Sequence, residues 1–290
     1  MNYAKCLENA IDYIENNLTN QIDFSEIAKH SGFSVFYFQR IFGILCGCSL
    51  GEYIRNRRLT LAGNELAATD IKVIDAAFKY GYESPESFSR AFVKFHGITP
   101  SDAKKNNSIL KSFSRLSVEI NLKGGSLMNY KIVRKESFKV LEKISVQDID
   151  DSKNKNTIPD FWTESHKNGT VAKLLSITEN RDYIFGICYG GDLTDKKTFD
   201  YSIAAVYNDN TDIPDGFRVN EIPARTWAVF ECVGAMPNAM QETWHKICAE
   251  FFPTASYEPT YEMDIEAYPA GEMNSPDYKS EIWVPVKEKE

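Results

Sequence analysis

Asp23-Phe-Ser-Glu-Ile-Ala-Lys-His-Ser-Gly-Phe-Ser-Val-Phe-Tyr-Phe-Gln-Arg-Ile-Phe42 reads as two short helices joined by a tight turn. Asp23 suits the N-cap of the first helix, and Phe24, Ile27 and Ala28 fall on one helical face. His30, Ser31 and Gly32 make the break, and Gly32 is free to take positive φ. Ser34 caps a second helix, on which Val35, Phe38, Ile41 and Phe42 share one side. The opposite side carries Phe36, Arg40 and Gly43, with Tyr37 and Gln39 on the flanks. A short helix with Gln and Arg outermost, braced by a second helix, has the shape of a helix-turn-helix that enters a DNA major groove.

The unit recurs. Ser34, Phe38, Arg40 and Phe42 have counterparts 50 residues on at Ser84, Phe88, Arg90 and Phe92, and Ala28 and Gly32 match Ala77 and Gly81. Between the copies, residues 50–67 form a connecting helix with an inner stripe of Leu59, Ala62 and Leu66. The linker "GEYIRNRRL" (51–59) and the ending "YGYESPESFSRAFVKFHGITP" (80–100) resemble the AraC/XylS family of transcription regulators over about the first third of the chain. The resemblance implies that Phe36, Tyr37, Gln39 and Arg40 insert into the groove. Gln pairs bidentately with adenine and Arg with guanine, and Phe36 suits a thymine methyl. In the second unit the outward positions are Pro85, Glu86, Ser87, Ser89 and Arg90. Glu86 departs from a base-reading pattern, so Arg90 and Ser84 are expected on the DNA backbone.

The chain has 290 residues and a net charge of −8, which read globally argues against nucleic acid. Read by segment, residues 1–125 hold 15 Lys+Arg and 13 Asp+Glu, while the remainder holds 18 and 28 of the totals of 33 and 41. A near-neutral module thus precedes an acidic one with another task. With little net positive charge, DNA binding must lean on local clusters such as Arg55, Arg57 and Arg58. The N-terminus does not resemble a signal peptide and no stretch approaches the ~20 apolar residues of a membrane span, so a cytoplasmic location is expected. The six cysteines are scattered, and Cys46-Gly-Cys48 has neither zinc nor thioredoxin spacing. No cofactor or metal is expected.

Residues 1–107 are assigned to the DNA-binding domain, 108–127 to a polar linker and a leading strand at Leu116–Leu122, and 128–290 to a second domain. In that domain Tyr130–Ile144 and Phe217–Glu231 each look like two strands around a turn. A helical stretch (158–168, then 236–252) and two further strands follow in each half. The fold class is therefore multidomain: an all-α double helix-turn-helix domain, then an α+β domain of two duplicated strand-strand-helix-strand-strand units around a groove. Ile158-Pro-Asp-Phe-Trp162, Tyr189-Gly-Gly191, Ala224-Arg-Thr-Trp227 and Ser280-Glu-Ile-Trp-Val-Pro285 resemble the GyrI-like effector-binding domain of Rob-type and BmrR-type regulators. In that family the acid at the place of Glu281 is the ligand's counter-charge. A carboxylate among aromatics suits a lipophilic cation. Glu281 shares its strand face with Trp283, so alternation alone leaves open whether it faces groove or solvent. Trp162, Tyr189, Trp227, Trp244 and Tyr268 are candidates for lining the same pocket.

The sequence thus describes a regulator, with activation the family's commonest mode, that binds promoter DNA and a small cationic or aromatic effector, with RNA polymerase as a further partner. It acts as a monomer or homodimer and needs no membrane. Two rivals stand beside it. One is a GyrI-like hydrolase of a reactive small molecule using Glu281 and Tyr189, and the other is a drug-sequestering protein. No Ser–His–Asp or metal-ligand set supports an enzyme.

Overall fold

The computed structural model of the chain describes residues 3–31, 35–105, 107–117, 127–148, 157–177, 183–190, 198–208 and 212–289. The chain divides into two units, residues 2–121 and 122–290.

The first unit holds seven helices among its described residues: α1 (Tyr3–Asn16), α2 (Phe24–Ser31), α3 (Val35–Cys46), α4 (Leu50–Ala68), α5 (Val73–Lys79), α6 (Pro85–His96) and α7 (Pro100–Ala103). Each forms where the sequence offers an apolar stripe and a stop. Asp23 accepts from the Ser25 N–H at 2.8 Å ahead of α2, Ser49 caps α4 through the Glu52 N–H, and Ser84 caps α6 through the Ser87 N–H. Gly97 ends α6 in the left-handed region at φ 83°, where a β-carbon is strained. Leu7, Ile11 and Ile14 bury the inner side of α1, with Leu18 in the turn after it, and Val35, Phe38, Ile41 and Phe42 that of α3. The connecting helix α4 is buried at both ends. Tyr53 meets Phe42 at 5.6 Å between ring centroids, while Leu59, Ala62 and Leu66 join Phe88 and Phe92 in the second core. One rigid helix therefore walls both helix-turn-helix units.

The polar stretch expected as a linker is held to this unit. His96 accepts the Lys111 N–H at Nδ1 (3.2 Å), Thr60 accepts the Phe113 N–H (2.9 Å), and Tyr53 accepts the Leu116 N–H (3.3 Å). Leu116 and Ser117 have no strand geometry, and the rest of the expected leading strand lies outside the described residues.

The second unit is a nine-stranded antiparallel sheet of β1 (Tyr130–Lys135), β2 (Phe138–Asp148), β3 (Tyr183–Tyr189), β4 (Thr198–Val206), β5 (Arg218–Ile222), β6 (Arg225–Val233), β7 (Tyr257–Pro259), β8 (Met263–Pro269) and β9 (Lys279–Glu288). The main order is β1-β6-β9-β8-β3-β4-β2-β5, with β7 paired to β9. Exchanging β1, β2, β3 and β4 for β5, β6, β8 and β9 gives the same order read backwards, so the duplication is a pseudo-two-fold about the β3/β8 pair. Each repeat also lends its first strand to the edge of the other's half: β1 lies beside β6 and β5 beside β2.

One face carries the helices α8 (Ile158–Lys167), α9 (Thr170–Ile177) and α10 (Asn238–Lys246), the last running through a π-helical turn at 247–251 into α11 (Phe252–Thr254). Trp162 and Trp244 reach Tyr201 and Glu266 on that face. The opposite face has its own apolar cluster of Phe185, Ile187, Trp227, Val229, Ile265 and Trp283. Both faces are buried, so the central strands are apolar at nearly every position; Ile184–Cys188 are all buried. At Gly186, on the helix side, a β-carbon would run into the Tyr201 hydroxyl and come within 3.3 Å of Trp162, so only glycine lets α8 approach the sheet.

Candidate functional site

On α3, Gln39 and Arg40 are half-buried; Arg40 lies opposite the buried Val35, Phe38, Ile41 and Phe42, and Gln39 on their flank. The Gln39 Oε1 is buried with no hydrogen-bond partner among the described residues. Phe36 and Tyr37 lie on α3, with side chains outside the described ones; Ser34 is also outside. On α6, Glu86 and Arg90 are exposed and Ser87 and Ser89 half-buried. Ser84 and Ser87 are tied to one another, because the Ser84 Oγ accepts the Ser87 N–H (3.2 Å) and the Ser87 Oγ donates to the Ser84 carbonyl (2.8 Å). Their first role is to start the helix, which sets the direction of Arg90.

The arginine cluster of α4 divides. Arg57 clasps Glu15 with Nε at 2.9 Å and Nη2 at 2.8 Å, and donates Nη1 to the Phe113 carbonyl at 2.7 Å. Arg58 donates Nε to the Leu18 carbonyl and Nη2 to the Asn20 carbonyl, both at 2.8 Å. Its guanidinium also lies where a β-carbon on Gly81 would stand. Both are engaged within the unit, so the three arginines do not form the free cluster that their spacing suggests. Arg55 has no ion-pair or hydrogen-bond partner among the described residues, and its charge lies near Tyr82. No sequence signal announces Glu15, 42 positions upstream of Arg57, as its partner.

In the second unit the expected effector residues fall on two faces rather than one. Directly opposed residues in an antiparallel sheet share a face. Glu281 stands opposite Ala267 and Glu231, and Trp283 opposite Ile265 and Val229. Trp227 and Tyr189 belong to the same cluster. Trp162, Trp244 and Tyr268 lie on the helix side, where Trp162 and Tyr268 are 5.4 Å apart by ring centroid.

On the face opposite the described helices, Glu281 lines a cavity of about 410 Å³ together with Lys131, Tyr183, Val229, Glu231 and Lys279. The Trp283 Nε1–H donates to Glu281 Oε2 at 2.7 Å, and Lys131 Nζ lies 3.1 Å from Oε1. Lys279 pairs with Glu231 at 2.9 Å. Lys135 places its ammonium 4.2 Å from the Trp283 ring centroid. Trp227 is fully buried, 6.1 Å from Trp283 by ring centroid.

Tyr189 does not join Glu281. Its hydroxyl donates to Glu142 at 2.5 Å and accepts from Asn220 at 3.1 Å, while Arg218 Nε donates to the same carboxylate at 2.8 Å. Burial, then the Glu142 charge, pushes the Tyr189 hydroxyl well above its usual range. The Glu281–Tyr189 pair of the hydrolase rival is therefore not assembled. Glu142 has no solvent exposure, and the sequence hides it in an ordinary strand pattern, Phe-Lys-Val-Leu-Glu.

The helix side holds a second carboxylate that sequence reading passed over. Glu266 accepts from the Trp244 Nε1–H at 3.0 Å and from the Tyr268 hydroxyl at 2.9 Å. Burial, then the Glu266 charge, drives the Tyr268 hydroxyl far up. An acid inside Met-Asp-Ile-Glu-Ala-Tyr, two positions from an aromatic predicted to line a pocket, was the available signal.

A family model described as "Integron-associated effector binding protein" matches residues 131–286, and one described as "Helix-turn-helix domain" matches 27–106. The chain is 46% identical over 89 residues to the HTH-type transcriptional activator AarP of Providencia stuartii, covering 31% of this chain and 66% of AarP. It is 38% identical over 102 residues to the regulatory protein SoxS of Salmonella typhimurium, covering 35% of this chain and 95% of SoxS. Among solved structures, SAV2435 bound to tetraphenylphosphonium is similar at 23% identity and a TM-score of 0.49, over 55% of this chain and 94% of that one.

Proposed function

The chain belongs to the integron-associated effector binding protein family and carries an AraC-type helix-turn-helix domain of the SoxS and AarP kind; from that premise we propose that it is a promoter-binding activator switched by a lipophilic aromatic cation. That it is a DNA-binding transcription regulator with an effector-binding domain follows from the family. The identity of the ligand class, the direction of regulation and the residues are the proposal.

Glu281 carries it. A carboxylate in a cavity of about 410 Å³ beside Tyr183 and Val229, fixed by the Trp283 indole, offers charge and ring faces in one place. A cation held between a carboxylate and an aromatic face gains from both, by about 0.5–2 kcal/mol for the ring alone. Gln39 and Arg40 are proposed to read base edges, with Arg90, Ser84 and Arg55 on the DNA backbone. Phe36, Tyr37 and Ser34 join the first helix by family resemblance. Helix α4, 19 residues long, spans about 28 Å at 1.5 Å per residue, near the ~34 Å of one DNA turn. RNA polymerase contact and a cytoplasmic setting belong to the same reading.

The test is calorimetry with tetraphenylphosphonium and its isosteric anion tetraphenylborate. The cation binds, the anion does not, and Glu281→Gln weakens the cation about tenfold or more. Equal binding of both ions counts against charge recognition. One observation favours a second reading. Glu266, held between Trp244 and Tyr268, is an alternative acid beneath the helices, and loss of binding in Glu266→Gln but not in Glu281→Gln assigns the cation there.

A further inference from the structure

Edge strand β1 lays one cation on Glu281, which lines the cavity, and another on Trp283, buried next to it on the same strand. Lys131 and Lys135 stand opposite Val229 and Arg225 of β6 and share a face with Val133, opposite Trp227. Lys131 Nζ is 3.1 Å from Glu281, and Lys135 Nζ is 4.2 Å from the ring centroid of Trp283, the residue whose indole N–H fixes Glu281. The acid and the ring that a ligand cation would use are thus both occupied by ammonium groups of the chain itself. The second acid of the cavity, Glu231, is held separately by Lys279 and Asn129.

We propose that Lys131 and Lys135 are internal stand-ins for the effector's charge, and that their competition sets which cations the groove accepts. The inference rests on the Glu281 reading above. Its selectivity follows from hydration. A lysine ammonium is a compact, strongly hydrated point charge, and the Lys131 side chain is already 60% exposed, so it returns to water at little cost. A primary-amine ligand offers Glu281 and Trp283 the same chemistry that the lysines supply, with no gain on exchange. A quaternary or charge-delocalised cation with aryl substituents is poorly hydrated. It gains by leaving water and adds apolar contact with Tyr183 and Val229. The groove therefore selects quaternary and delocalised aromatic cations over primary amines of equal size.

The 290-residue chain is titrated with tetraphenylphosphonium and with 2,2,2-triphenylethylammonium. Wild type binds the phosphonium at least about fivefold more tightly. Removing one stand-in, Lys131→Met or Lys135→Met, tightens phosphonium binding about threefold, and removing both tightens it about tenfold, magnitudes expected for an exposed ion pair and a cation–π contact made by a half-buried lysine. The primary amine gains at least as much, so discrimination narrows in the double variant. Lys287→Met, on β9 but paired with Glu258 outside the cavity, and Arg134→Met, on β1 but opposite Thr226, change either affinity by less than about twofold. Unchanged or weaker binding in the double variant overturns the inference, as does equal tightening in the two controls, which marks diffuse charge repulsion. Lys131→Gln and Lys135→Gln repeat the measurement with the side-chain polarity kept. Wild-type phosphonium binding that Glu281→Gln leaves untouched defeats the underlying site assignment, and this inference with it.

Discussion

Replacing Arg57 with Met separates a structural arginine from a DNA-reading one. The guanidinium and Glu15 are 12% and 10% exposed and meet through two hydrogen bonds of 2.9 and 2.8 Å. Tyr53 adds a third bond to the same carboxylate at 2.6 Å, and Arg57 also caps the Phe113 carbonyl. Burial opposes the Glu15 charge, but the hydrogen bonds from Arg57 and Tyr53 outweigh it and hold the carboxyl below its usual value. Deleting the cation leaves a buried carboxylate short of two donors, a change that costs about 3–5 kcal/mol. In a helical unit of this size the lower figure lowers the melting temperature by about 10 °C. Glu15→Leu on top of Arg57→Met removes the orphaned charge and recovers more than half of the loss. Thermal and urea melts followed by helical circular dichroism read this directly. The partner measurement is the salt dependence of DNA binding. Arg57→Met leaves the slope of log K against log[salt] unchanged, because the side chain meets no phosphate. A variant that melts within about 2 °C of wild type while its slope falls by about one unit refutes the assignment.

Three further outcomes are expected. Arg90→Met, exposed on α6, keeps its melting temperature within about 2 °C but weakens selected-duplex binding about tenfold in gel-shift titrations. His96 is buried between the Leu59 carbonyl at Nε2 (3.0 Å) and the Lys111 N–H at Nδ1 (3.2 Å), and burial lowers its pKa from 6.5. The folded chain then binds fewer protons than the unfolded one. Stability is full above pH ~6.5 and falls as the pH drops below it, levelling once the folded imidazole is protonated; the urea midpoint of wild type falls between pH 7.5 and 5.5 more than that of His96→Gln. Gly186→Ala forces a β-carbon against Tyr201 and Trp162 and destabilises the second unit by about 1–3 kcal/mol in urea denaturation.

The sequence was most legible where one residue has one job. The recurring Ser, Phe, Arg and Phe of the two recognition helices need a cap, two core contacts and an outward arginine. Their periodicity therefore located α3 and α6 to within a residue. The duplicated α+β plan was readable from element order. Three things were not. Helix α9 follows α8 after only two residues, so no long loop separates them, and strand β7 has only three residues. Arg57 and Arg58 look like any exposed basic pair, because their partners Glu15 and Leu18 are close only through the fold. Lastly, the aromatic set was expected around one pocket and divides between two faces. Strands buried on both sides carry apolar residues at every position, so Tyr189 and Tyr268 give no hint of which side holds the helices. The crossing of β1 and β5 into opposite halves also brings Lys131 to Glu281, 150 positions away.

A hydroxyl-radical footprint of the 290-residue chain on duplexes selected from a random pool, read at low and moderate salt, bears most directly on the proposal of two helix-turn-helix prongs on one rod. Two protected windows about one helical turn apart on the same side of the duplex are predicted, both present at a one-to-one ratio of chain to site, with Arg90→Met thinning only one of them. A single window, or binding without sequence preference at every salt concentration, contradicts it.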